Sequence, residues 1–241
     1  MIRMRSKIAA LALASLTAAC APAPDATGEA RTAATADTAS AAAPERDARG
    51  VVLFLGTSLT AGYGVGEEVA YPARIQAKID SAGLPFRVVN GGISGETSAG
   101  GLARLDWMLQ QPIDVLVLEL GANDGLRGYD IEEMRQNLDT ILRRTRETYP
   151  DASVVIAGME APPNLGGTYT RRFRETFRDL ARDHDAAFVP FLLEGVAADP
   201  ALNIEDGIHP NAAGQARVAD TVWRVLAPVL ERRASASVQR S

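Results

Sequence analysis

Four short blocks of the chain carry residue types that could do chemistry together. Gly56-Thr57-Ser58-Leu59 sets a serine behind a glycine, where a turn can expose the hydroxyl. Asp206-Gly207-Ile208-His209-Pro210 sets a carboxylate three residues before one of the two histidines. Ile93-Ser94-Gly95-Glu96-Thr97 offers a backbone N–H at Gly95 with no side chain to obstruct a substrate. Gly121-Ala122-Asn123-Asp124 offers a side-chain amide at Asn123. Acyl transfer to water through a covalent intermediate needs a nucleophile, a base, a group that orients the base, and donors for the developing oxyanion. Ser58 can be the nucleophile and His209 the base. Asp206 is close enough along one loop to reach the imidazole Nδ1, fix its tautomer and stabilise the imidazolium. The N–H groups of Ser58 and Gly95 and the amide of Asn123 can form the oxyanion hole.

These blocks need a scaffold that brings them to one place. Apolar runs occur at Val51–Leu55, Phe86–Val89, Val115–Leu120, Val154–Ala157 and Ala187–Val189. Unbroken apolar runs of this length read as strands buried on both faces. Between them the period is helical. Tyr71–Ser81 carries Ile75 and Ile79. Ser98–Gln110 carries Leu102, Leu105 and Leu109. Asp130–Tyr149 opens on Asp130 and Glu133, a capping-box spacing. Thr170–His184 carries Phe173, Phe177 and Leu180, and Asn211–Leu230 carries Val218, Val222 and Leu226. Alternating strands and helices predict an α/β fold. Its layers are α/β/α around a parallel sheet of about five strands, flavodoxin-like in order. The active edge of such a sheet is the carboxyl end of its strands, and the four blocks follow strands or precede the last helix.

Taken singly, each block has a plain reading. Ser58 could be a turn residue, Asn123-Asp124-Gly125 a turn, and Asp206–Pro210 a loop before a helix capped by Asn211. Four such blocks in order resemble the SGNH hydrolases, also called the GDSL family, over about Val51 to Leu230. The likeness is to the thioesterase I and arylesterase branch, and rests on four stretches. They are Leu55-Gly56-Thr57-Ser58-Leu59-Thr60-Ala61-Gly62-Tyr63, Ile93 to Thr97, Glu119-Leu120-Gly121-Ala122-Asn123-Asp124-Gly125-Leu126-Arg127-Gly128, and Asp206 to Asn211. The resemblance implies the SGNH hydrolase fold. It also implies Ser58 as nucleophile, Asp206 and His209 as its partners, and Gly95 and Asn123 in the oxyanion hole. One position departs from the family pattern: Thr57 stands where Asp is usual, which bears on the Ser58 loop more than on the reaction type.

Other residues read more simply. His184 reads as a surface or capping residue near a helix end. Trp107, Trp223, Phe173 and Phe177 read as core. Asp124 and Glu119 lack metal-ligand spacing, so no metal and no cofactor is expected. The Gly91–Gly101 stretch lacks the lysine of a phosphate loop. The segment Glu160–Tyr169 follows the fourth strand at the active edge, and the resemblance implies that it lines the substrate cleft and helps set acyl preference.

The chain has 241 residues and a net charge of -5, which argues against nucleic acid as partner. Arg3, Arg5 and Lys7 precede an apolar run, Ile8–Ala19, too short to span a bilayer but suited to a secretory signal. Thr17-Ala18-Ala19-Cys20 resembles a bacterial lipobox, with Thr17 where Leu is usual. Cys20 is the only cysteine, so it is the expected lipidation site, and no disulfide within the chain can form. The expected organisation is a lipoprotein signal peptide over 1–19 and a flexible linker over 20–48. The hydrolase domain follows over 49–233, with a tail over 234–241. The linker lacks Val, Ile, Leu and aromatic residues from Ala21 to Asp47 and cannot offset its ordering entropy. The expected location is outside the cytoplasm, anchored to a membrane through the lipid. Ala21 after Cys20 points to the outer membrane in a host that has one. The expected function is serine ester hydrolysis of a small-molecule or lipid ester, by arylesterase, thioesterase or lysophospholipase activity. The alternatives are an acetyl esterase on envelope carbohydrate and a catalytically idle binding lipoprotein.

Overall fold

The computed structural model describes residues 49–238. Cys20, the expected signal and the whole of the expected linker lie outside the described residues. Five strands form one sheet: β1 (Gly50–Gly56), β2 (Phe86–Gly92), β3 (Val115–Glu119), β4 (Ser153–Ala157) and β5 (Ala187–Val189). Every pairing is parallel and the order is β2-β1-β3-β4-β5, the flavodoxin-like arrangement. All of β3 is buried, as is β1 beyond Gly50, so their continuous apolar character has a physical cause.

Among the described residues eight α-helices accompany the sheet: α1 (Ser58–Ala61), α2 (Tyr71–Ser81), α3 (Ser98–Ala103), α4 (Leu105–Met108), α5 (Ala122–Leu126), α6 (Ile131–Thr148), α7 (Gly167–Asp183) and α8 (Ala212–Val238). Helices α2 and α8 pack together as one layer, and α3, α6 and α7 form the other. Phe54 of β1 meets Tyr71 of α2 edge-on at 5.5 Å between ring centroids, and Phe173 and Phe177 of α7 meet edge-on at 5.2 Å. Asp130 caps α6 by accepting from the Glu133 amide at 2.9 Å. Asn211 caps α8 by accepting from the Ala213 and Gly214 amides at 3.0 and 3.1 Å.

The register positions the chemistry. Gly56 pairs with Gly92 on one side and with Glu119 on the other, so β1, β2 and β3 end at one level. The chain leaves all three strands at the same edge, into α1, the 93–97 loop and α5. A Cβ on Gly92 would lie 2.3 Å from the Ala61 amide nitrogen, so a glycine is what lets β2 lie against α1.

Three expectations need correction. The helix expected over Ser98–Gln110 is two short helices that break at Arg104. Gly100 and Gly101 are poor helix formers, and Gly101 is needed where α3 meets Leu120, whose Cδ1 would lie 2.2 Å from an added Cβ. Beyond the break Leu105 and Leu109 are buried and Met108 packs against the core, which leaves Trp107 68% exposed instead of in the core. The last helix continues past Leu230 to Val238, through the first residues expected as tail. Arg233 holds this extension to the strands by pairing with Asp114 at 3.0 Å and donating to the Asp151 carbonyl. No helix among the described residues is long and apolar enough to cross a membrane.

The Phe54–Tyr71 contact ties the central strand to the α2 layer. Phe54→Ala should therefore lower the unfolding free energy by about 3–5 kcal/mol, as cavity-forming core changes do. Urea unfolding of both proteins followed by circular dichroism checks this.

Candidate active site

Ser58 is the first residue of α1, directly after β1 and Thr57. His209 comes from the loop before α8, 151 residues away, and its Nε2 lies 2.9 Å from the Ser58 Oγ. His209 Nδ1 lies 2.6 Å from Asp206 Oδ2. The other carboxylate oxygen, Oδ1, accepts from the Ile208 and His209 amides at 2.9 and 3.0 Å. One short loop therefore orients its own carboxylate, and the carboxylate orients the ring. Ile204 reinforces this by donating its amide to the His209 carbonyl at 2.8 Å. Tyr63, 50% exposed, packs its ring 4.6 Å from the imidazole.

The His209 amide above all, joined by the Ile208 amide and the imidazole, outweighs the opposing effect of burial and holds Asp206 below the usual carboxylate range, at about 2. The carboxylate is thus charged wherever the imidazole must be held.

The other two blocks meet the same cleft. Asn123 opens the first turn of α5, and its Nδ2 donates to the Glu96 carbonyl at 3.0 Å. That bond uses one of the two amide protons and fixes the side chain, leaving the second for a ligand. Gly95 has φ +79, a left-handed conformation that favours glycine, and its carbonyl accepts from Arg127 at 3.1 Å. Glu96 is anchored by Arg104, whose Nε and Nη2 donate to its two oxygens at 2.7 and 2.5 Å. Asp124 is buried and accepts from the Ser98 amide and hydroxyl at 2.9 and 2.6 Å. It joins α5 to α3.

A cleft of about 280 Å3 collects these groups. Ser58, Gly95, Asn123 and His209 line it together with Leu59, Leu126, Met159, Leu193 and Ile208. From the Glu160–Tyr169 segment, only Glu160 reaches it. His184 is elsewhere: it caps the end of α7, and its Nε2 lies 2.7 Å from Asp139 on α6. Among the described residues no group of three His, Cys, Asp or Glu side chains is arranged to hold a metal ion.

Two groups of supporting residues escaped the motif reading. The Glu96–Arg104 pair is invisible because Arg104 lies eight residues away, at a helix break. The second group centres on Glu119, a carboxylate with no solvent exposure at the end of β3. It accepts from the Thr57 amide at 2.8 Å, the Thr57 hydroxyl at 2.9 Å and the Thr60 hydroxyl at 2.8 Å. A charged residue inside an otherwise apolar strand run was the available signal.

The arrangement has the parts that acyl transfer through a serine needs, and comparison with known proteins supplies the family. Esterase TesA of Pseudomonas aeruginosa is 39% identical over 180 residues, covering 74% of this chain and 89% of that protein. Thioesterase 1/protease 1/lysophospholipase L1 of Escherichia coli is 39% identical over 181 residues, covering 74% of this chain and 84% of that protein. The crystal structure of the psychrotrophic esterase EstA from Pseudoalteromonas sp. superposes with a TM-score of 0.71 at 32% identity, covering 75% of this chain and 98% of that one.

The bonds to Asp206 make a measurable prediction. Its carboxyl should titrate near pH 2, not at the ordinary 3.8, in carboxyl-carbon NMR. Because the folded value is depressed, what its charge contributes to the fold is present at neutral pH and is lost as pH falls towards 2. Titration at the ordinary value would mean that the loop amides do not hold it.

The profile of the GDSL-like Lipase/Acylhydrolase family matches residues 54–217, and with relatives of this identity and coverage the chain belongs to that family and is a carboxylic ester hydrolase.

Proposed function

We propose that Ser58 attacks the substrate carbonyl while His209 takes its proton, with Asp206 holding the imidazole and stabilising it once charged. The observation that carries this reading is the continuous hydrogen-bonded line from Asp206 Oδ2 through His209 to the Ser58 Oγ. The tetrahedral intermediate would rest its oxyanion on the N–H groups of Ser58 and Gly95 and on the free proton of the Asn123 amide. His209 then protonates the leaving group, and a water activated by the same imidazole releases the acyl group.

We also propose esters with apolar acyl or aryl groups as substrates, in preference to acetylated sugars. Leu59, Leu126, Met159, Leu193 and Ile208 supply much of the cleft wall. A sugar needs several fixed polar partners, and beyond the reacting groups the polar side chains of the lining are Tyr63, Ser94, Glu160 and Thr57, the last with its hydroxyl held by Glu119. The idle-binding alternative leaned on Thr57, yet with Thr57 in place the Ser58 hydroxyl still meets His209.

The anchor remains a proposal from the sequence: export, and a lipid on Cys20 that holds the enzyme at a membrane. The lipobox-like junction and the solitary cysteine support it. Radiolabelled palmitate fed to cells making the full chain should label it, and Cys20→Ala should not be labelled.

Hydrolysis of p-nitrophenyl esters from acetate to palmitate tests the chemistry and the preference together. Ser58→Ala should abolish hydrolysis, and Asn123→Ala should lower kcat about 100- to 1000-fold, the usual loss for one oxyanion donor. Undiminished turnover in either variant would refute the role assigned to that residue. Strict preference for acetate would favour the carbohydrate alternative.

A further inference from the structure

Glu119 is a buried acid that the acyl-transfer steps do not use. It sits beneath the turn that presents Ser58, at the level where β1 and β3 end together. A Cβ on Gly56 would lie 2.7 Å from its Oε2, so Gly56 is what lets the carboxylate reach the turn.

The hydrogen bonds around it run in one direction. The Thr57 amide can only donate, and it does so at 2.8 Å. The Thr57 hydroxyl donates to Oε1, and the Thr60 hydroxyl donates to Oε2. Thr60 in turn lies 2.7 Å from the hydroxyl of Tyr71, which is itself buried. With Glu119 ionised, the Tyr71 hydroxyl donates to Thr60, Thr60 donates to Glu119, and every proton has an acceptor. A protonated Glu119 must donate to one of the threonines. A donation to Thr60 reverses the chain and leaves the buried Tyr71 hydroxyl without this acceptor. A donation to Thr57 turns its hydroxyl from Oε1 to the longer 3.1 Å contact with Oε2, so either way the set of bonds weakens.

The groups facing the carboxylate are known. Tyr71 from α2 is the titratable one, while β1 and α1 present Gly56, Thr57 and Thr60. Strand β4 (Ser-Val-Val-Ile-Ala) and helix α3 (Ser-Ala-Gly-Gly-Leu-Ala) carry no charge, and Asp124 of α5 is bound to Ser98. No cation stands against Glu119 in any of these contacts.

We propose that Glu119 is the positioning residue of the nucleophile: ionised, it holds the Thr57 amide and the first turn of α1 so that Ser58 faces His209, and protonated it releases them. Catalysis then depends on a buried proton outside the Ser58–His209–Asp206 line. Burial raises the Glu119 carboxyl, and the amide and hydroxyls of Thr57 and Thr60 pull it back down, to about 7. The control therefore operates within the range where the enzyme would work. The proposal rests on the serine-esterase reading of the site.

Glu119→Gln tests it, because an amide has the shape of the protonated acid and does not ionise. At alkaline pH this variant should keep the wild-type KM and lose about 10- to 100-fold in kcat, the scale of loss for a misplaced nucleophile. The acid side of the wild-type kcat profile should be steeper than one ionisation gives, and in Glu119→Gln it should relax to a single ionisation. Thr57→Val and Thr60→Val each remove one donor to the charged form, so each should move the acid limb to higher pH, while Thr57→Ser should leave it in place. If Glu119→Gln does not fold, the two valine variants decide. A Glu119→Gln enzyme with normal kcat, or with reduced kcat and an unchanged limb, would overturn the proposal, as would valine variants whose limb does not move. A wild-type chain that hydrolyses no ester would overturn the proposed function together with this inference.

Discussion

Everything at this site depends on three neighbouring strands ending at one level. β1, β2 and β3 run parallel, and Gly56, Gly92 and Glu119 lie side by side across them. Parallel strands discharge their following segments at the same edge. Ser58, the 93–97 loop and Asn123 are therefore neighbours in space although they are dispersed in the chain. His209 arrives from the far end of the sequence, on the segment that links β5 to α8. The two glycines matter because Gly92 meets the backbone of α1 and Gly56 meets the side chains of Thr60 and Glu119, with no room for a Cβ at either. A methyl group on Gly92 would strike α1, and one on Gly56 would strike Thr60 and Glu119.

Much of this was legible in the residues. The apolar runs are strands because both sheet faces are covered, and the 3.6-residue periods between them mark the covering helices. Strand β1 and helix α2 follow their patterns closely. Reading failed where tertiary contact overrode local pattern. The leucine period through Ser98–Gln110 looks continuous, but the chain breaks at Arg104, whose guanidinium reaches Glu96 and the Gly91 carbonyl. Trp107 is exposed as a consequence. The end of α8 was unreadable for a similar reason: Arg233 is bound to Asp114 of the segment leading into β3, and no local pattern announces that partner.

The reacting residues stood out because chemistry restricts which side chains can do such work. The residues that hold them did not, because many polar pairs could serve. Glu96 gives its carbonyl to Asn123 and its carboxylate to Arg104, and Asp124 fastens α5 to α3. Thr57 shows the same point from the other side. As a departure from the family's usual Asp it read as a weakness beside the nucleophile. In the structure it is a buried donor to Glu119. An aspartate there would set two carboxyl groups together, one of which would have to keep a proton. A threonine lets a single buried charge stand among donors.

The central claim is that Ser58 is the residue made nucleophilic by His209. Its most direct measurement is covalent labelling with an activated phosphate ester, diethyl p-nitrophenyl phosphate, followed by peptide mass spectrometry. The account predicts one diethylphosphoryl group per chain, on Ser58, with p-nitrophenol released in equal amount and all hydrolysis lost in step. A stable adduct on another residue, or full ester hydrolysis by a protein whose Ser58 is fully labelled, would contradict it.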